Sequence, residues 1–94
     1  MSTKICLTFD KTLVALAGNP FGQRTFDEQV KSKIDDSDDI TIVFPPQIIK
    51  IASSFVQGFM NYWMTKYAIQ EISEKVTIVT SNEKLTQSFY SNML

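Results

Sequence analysis

From Lys4 to Phe9 apolar and polar positions alternate, with Ile5, Leu7 and Phe9 on one side, which predicts a β-strand. Asp10-Lys11 supplies a turn, and Leu13–Ala17 then reads as a second short strand that closes a hairpin, although "LVALA" alone suits a helical fragment equally. The Gly, Asn and Pro content of "GNPFGQ" (18–23) predicts a loop. At Thr25 the period changes. Thr25-Phe-Asp-Glu28 has the form of a capping box, and Phe26, Val30 and Ile34 follow one turn apart on the face of an amphipathic helix. "ITIVF" (40–44) is short, apolar and β-branched, as in a central strand covered on both faces, and Pro45-Pro46 ends it because proline cannot donate to a ladder.

Residues 48–51 are extended, and from Ser54 the spacing is helical again. Phe55, Phe59, Tyr62 and Lys66 form one diagonal and Val56, Met60, Trp63 and Tyr67 the next, a wide apolar face. Residues 68–75 either continue this helix or make a separate turn holding Ile69 and Ile72. "VTIVT" (76–80) is a further β-branched strand. Thr80, Ser81 and Asn82 are candidate caps for a last helix, in which Leu85, Phe89 and Met93 fall one turn apart. The order β-β-α-β-α-β-α implies one α/β domain over residues 1–94, with helices packed on a mixed four-stranded sheet whose later strands run parallel.

Composition narrows the function more than the fold. A net charge of −1 gives no electrostatic footprint for nucleic acid, and no apolar run is long enough to span a bilayer. With no signal-peptide pattern at its start, the chain reads as cytoplasmic. The single cysteine, Cys6, excludes an intrachain disulfide and sits in an alternating stretch that suits a small buried hydrophobe. The absence of histidine removes the commonest general base and metal ligand together, so neither a metal, a cofactor nor a catalytic set is expected. The acidic run Asp35–Asp39 lacks the glycine and distal glutamate of a calcium loop and reads as a solvated connector.

The stretch "ITIVFPPQIIKIASSFVQGF" resembles the STAS-like domains of unknown function, relatives of sulfate transporter and anti-sigma factor antagonist domains. Ile51, Ser53, Ser54 and Phe55 match the apolar link and Ser-Ser-Phe helix start of that group, and Arg24 stands where such domains often carry an arginine. The match departs where the group has aspartate, since Phe44 takes that place, and Ala52 replaces the aspartate that precedes the serine pair in the antagonists proper. The resemblance implies a bacterial, non-enzymatic regulatory module that docks a protein partner, a kinase-like ATPase or anti-sigma-type regulator, through the helix opening at Ser53-Ser54. It also makes Ser54, with Ser53 second, the candidate phosphoacceptor.

From the residues alone, Ser54-Phe-Val-Gln57 is first a capping box at a helix start, and the phosphate switch is the minority reading. Gly58 suits either close packing of the helix or a flat spot for a partner. The aromatic surplus of that helix, with Met60, Tyr62 and Met64 beside it, suits either a second layer of core or a docking surface. Self-association is the alternative to a separate partner: a homo-oligomeric structural protein, or a phage-borne inhibitor directed at its host, that reuses the fold without a phosphate switch.

Overall fold

A computed structural model describes residues 2–34 and 39–93. The chain runs through β1 (Ser2–Cys6), β2 (Ala15–Leu16), α1 (Asn19–Gln29), a 3-10 turn (Lys31–Lys33), β3 (Asp39–Val43), β4 (Lys50–Ile51), α2 (Ser53–Met64), α3 (Ile69–Lys75), β5 (Val76–Val79) and α4 (Glu83–Ser91). It is a small α/β fold. The connector expected at Asp35–Asp39 lies outside the described residues except for Asp39, which opens β3.

The expected hairpin and four-stranded sheet do not form. β1, β3 and β5 make a parallel three-stranded sheet in the order β1-β3-β5, and β2 pairs in parallel with β4 in a separate two-stranded sheet. The turn after β1 is real, because Asp10 accepts the Leu13 N–H at 2.9 Å through its carbonyl. Its Oδ1 also takes the N–H and hydroxyl of Thr12 at 2.9 and 2.7 Å, which holds the carboxyl below its ordinary value near 3.8. That turn leads the chain away from β1 instead of back along it, and Gln47 Nε2 ties it to the segment before β4 through the Asp10 and Leu13 carbonyls.

Burial in the main sheet alternates strictly. Ile5, Leu7, Ile40, Ile42, Phe44, Val76 and Ile78 are buried and share one cluster with the buried residues of α1, α2, α3 and α4. The residues between them are not covered. Lys4, Cys6, Thr8, Thr77 and Val79 are exposed, and Thr41 and Val43 are half-buried. "ITIVF" therefore forms a central strand covered on one face, and Cys6 is an exposed thiol, not a core residue. The topology explains this. Both crossovers, β1 to β3 and β3 to β5, step in the same direction, and crossovers of one hand then place their helices on one side of the sheet.

Side chains close parts of the sheet's two edges. The Gln29 carboxamide accepts the Thr8 N–H at 2.7 Å and donates to the Thr8 carbonyl at 2.8 Å, as a neighbouring strand would. On the other edge the Tyr90 hydroxyl accepts the Ile78 N–H at 2.8 Å and donates to the Val76 carbonyl at 3.1 Å. Unpaired strand edges invite association, and such contacts remove part of the template.

α1 begins six residues before the capping box expected at Thr25. Its first residues are Asn19 and Pro20, a position where proline's missing N–H costs nothing. Thr25 is buried within the helix, and its hydroxyl donates to the Phe21 carbonyl at 2.9 Å. α3 is separate from α2, and α4 is capped by Asn82, whose side chain accepts the Leu85 N–H at 2.8 Å.

Candidate functional site

The short β2–β4 pair fixes where the two longest helices begin. Leu16 and Ile51 are partners in register, and each strand passes through a junction residue or two into a helix, β2 into α1 and β4 into α2. The two helices consequently open side by side. Ala52 donates its N–H to the Leu16 carbonyl at 2.8 Å, and Gly18 donates its N–H to Ser54 Oγ at 2.9 Å. Gly18, with φ of 99°, turns the chain into α1 through a conformation that favours glycine.

The serine pair does not cap α2. Ala52 is the N-cap residue, no side chain caps the helix start, and the Ser54–Gln57 box does not close. Ser54 Oγ instead accepts from the residue just ahead of the neighbouring helix, so it fastens two helix starts together. Ser53 and Ser54 are both exposed, as are Asn19, Pro20 and Lys50 around them. Helix N-termini carry amides without intrahelical partners and a partial positive charge, so this end of the molecule presents two such termini beside a lysine.

One turn further the helices cross. A Cβ at Gly58 would lie 2.1 Å from the Asn19 carbonyl oxygen, and one at Gly22 would lie 2.3 Å from the Phe55 carbonyl oxygen. Each glycine thus lets the other helix's backbone approach. Close packing is the role of Gly58, with a helix as the opposing surface instead of the sheet.

The other expected docking residues are spread apart. Met60 is fully buried in the core and cannot line a surface. Tyr62 is half-buried and stacks on Phe26 of α1, with ring centroids 5.1 Å apart and planes at 27°, while Lys66 Nζ lies 2.8 Å from its hydroxyl. Met64 is half-buried against the core at the last residue of α2, about 15 Å along the helix axis from Ser54. Arg24 is exposed on the body of α1, its guanidinium 5.8 Å from the centre of the Phe21 ring, and not ahead of the helix. Of the aromatic residues in this segment, Phe55, Phe59 and Trp63 are fully buried, and Phe26 meets Phe59 and Trp63 edge-on at 6.2 and 5.1 Å, whereas Tyr62 and Tyr67 are half-buried at the margin of the core.

A groove of about 230 Å³ runs between the helices, lined by Gln23 and Asp27 of α1 and Lys31 of the following 3-10 turn, and by Asn61 of α2 and Thr65 just past its end. Gly58 and the Phe26–Tyr62 stack form the rest of its lining. The spacing of four residues along Gln23, Asp27 and Lys31 is visible in the sequence, but that this row faces Asn61 and Thr65 depends on the glycine crossing. Among the described residues, no three His, Cys, Asp or Glu side chains converge, and no helix is long and apolar enough to cross a membrane.

The chain matches no family model, no curated protein and no solved structure.

Proposed function

We propose that this chain is a non-enzymatic regulatory module of STAS-like type, which docks a protein partner through the end of the molecule where α1 and α2 open. The observation that carries this reading is the joining of the two helix starts by Ser54 and Gly18, which leaves both serines, Asn19 and Lys50 exposed on one rigid end. Such an end offers partnerless amides and positive helix termini to acidic or polar groups of a partner, for which the resemblance suggests a kinase-like ATPase or anti-sigma-type regulator. Docking needs no phosphate. A phosphate on Ser53 would displace no hydrogen bond of that side chain among the described residues, whereas Ser54 Oγ already serves as an acceptor for Gly18. A switch, where one operates, therefore falls more naturally on Ser53.

Affinity capture of the tagged chain from its source cells tests the reading. A partner should be retained by the wild type and by Lys84→Glu on α4, and lost with Ser54→Arg. Capture of the same proteins by all three would sink it. Intact-mass measurement of the captured chain reads phosphorylation directly.

One observation favours self-association as a second reading. Val14 and Ile49 lie side by side at the start of the β2–β4 pair, joined by the Ile49 N–H to Val14 carbonyl bond at 2.8 Å, and are 46% and 66% exposed. A tight homodimer in sedimentation that is broken by Ile49→Lys would support the homo-oligomeric or host-directed inhibitor reading over partner docking.

A further inference from the structure

The main sheet carries its helices on one face, and the other face is ordered by the strand register into rows that run across all three strands. Lys4, Thr41 and Thr77 make one row, and Cys6, Val43 and Val79 make the next. Val79 is 42% exposed although it is a valine in a parallel sheet, and Cys6 is exposed beside Val43. Parallel sheets are almost always covered on both faces, since the β-branched residues of the second face gain by leaving water. Apart from Lys4 at its edge, these two rows consist of two valines, a cysteine and two threonines whose methyl groups are apolar.

We propose that this bare face receives a single amphipathic α-helix of a protein partner. The helix lies along the strands, with its apolar stripe on Cys6, Val43 and Val79 and a carboxylate beside Lys4.

The dimensions select this occupant. The outer strands of a three-stranded sheet lie about 10 Å apart, and one helix with its side chains is about 10–12 Å across. One helix therefore covers the full width. Five residues of strand span about 17 Å, which a helix of about 11 residues matches. A second copy of the chain laid face to face would bury roughly 250 Å² per copy, against about 800 Å² per partner in a stable interface. A helix belonging to a larger partner is held by that partner's other contacts, so a small seat suffices. Charge adds a polar anchor: Lys4 stands exposed on the edge strand, so the helix carries its acid on that side. The seat is on the opposite side of the sheet from α1 and α2, and so is independent of the serine end.

Cys6 is the only cysteine of the chain and lies within the seat, so its thiol reports whether the seat is covered. In clarified lysate of the source cells, N-ethylmaleimide should alkylate Cys6 at least ten-fold more slowly than in the purified chain, and Val79→Lys should restore the fast rate. A photo-crosslinking residue at Thr77 should join to a helical segment of another protein that contains a carboxylate. Equal alkylation rates overturn the proposal, as does a crosslink to a second copy of this chain or to a strand or loop of a partner. Ser54→Arg is read in the same assay, and it should leave the slow rate unchanged. Loss of docking at the serine end is thereby distinguished from loss of docking on the sheet.

Discussion

Gly58→Ala separates close helix packing from every other role for this glycine. In an exposed helix interior the change stabilises by about 1 kcal/mol, because alanine is the better helix former. Here the new Cβ would lie 2.1 Å from the Asn19 carbonyl oxygen and 2.8 and 2.9 Å from its carbonyl carbon and Cα. All three are backbone atoms at the start of α1, so no side-chain rotation relieves them. Restoring ordinary contact means separating the helices by about 1 Å, which forfeits a quarter to a half of each dispersion contact across the crossing. Overpacking of this kind costs about 1–3 kcal/mol net, and the backbone character of the clash puts the expectation near the upper value. Against the roughly 5–14 kcal/mol expected for a chain of this length, that is a large fraction. Urea unfolding should show a lower midpoint with an unchanged slope. Gly18→Ala is the control. A Cβ there meets nothing nearer than 3.9 Å, so its cost is the backbone conformation alone, φ 99° and ψ 128°, about 1–3 kcal/mol. A Gly58→Ala protein as stable as the wild type, or more stable, would refute the reasoning about the crossing.

Met60→Ala should destabilise by about 2–5 kcal/mol in the same assay, since Met60 is fully buried; a change under 1 kcal/mol would mean that its side chain is not core. Tyr90→Phe should cost about 1–3 kcal/mol by leaving the Ile78 N–H and Val76 carbonyl without their hydroxyl partner, and amide exchange at Ile78 should speed up; unchanged exchange would show that the hydroxyl does not protect that edge. Asp10→Asn should be less stable than the wild type near neutral pH. The Asp10 pKa is lowered in the folded chain by the backbone and then the side-chain hydrogen bond of Thr12, so its contribution is complete above the ordinary value near 3.8 and is lost as the pH falls through the lower folded value. The difference between the two proteins should therefore vanish in strong acid, and a difference that persists there would argue against the carboxylate as its source.

Local pattern was a sound guide to which segments fold and a poor one to what they fold against. The alternation of Ile5, Leu7 and Phe9 and the one-turn spacing of Leu85, Phe89 and Met93 both mark inward-facing residues. Asp10-Lys11 carries a true turn signal without a hairpin, because the partner of β2 is β4, a pairing set by residues far along the chain. "GNPFGQ" looks like a loop by composition. It is a helix start in which Pro20 suits the first turn and Gly22 serves the crossing with α2, and neither use shows without the second helix. Thr25 looks like a cap because threonine prefers helix ends, but a hydroxyl bonded to the Phe21 carbonyl can be buried in the helix body. "ITIVF" matches a strand buried on both faces, since β-branched residues alone do not reveal which face has a layer over it. At the candidate site, the serine pair was visible as a helix start. Its tie to Gly18 was not, because that contact joins residues 36 positions apart.

The same tie has a consequence for synthesis on the ribosome. α1 emerges early, but its seat is built from Leu16 pairing with Ile51 and from Gly58 and Phe59 of α2. Until those residues leave the exit tunnel, Phe21 and Phe26 have no α2 rings to pack against. At about 5–20 residues per second this interval lasts some seconds, during which the nascent chain carries apolar surface that chaperones bind. The domain is thus committed to folding late and all at once, and a chain stalled before Ile51 should remain a chaperone client instead of a partly folded intermediate.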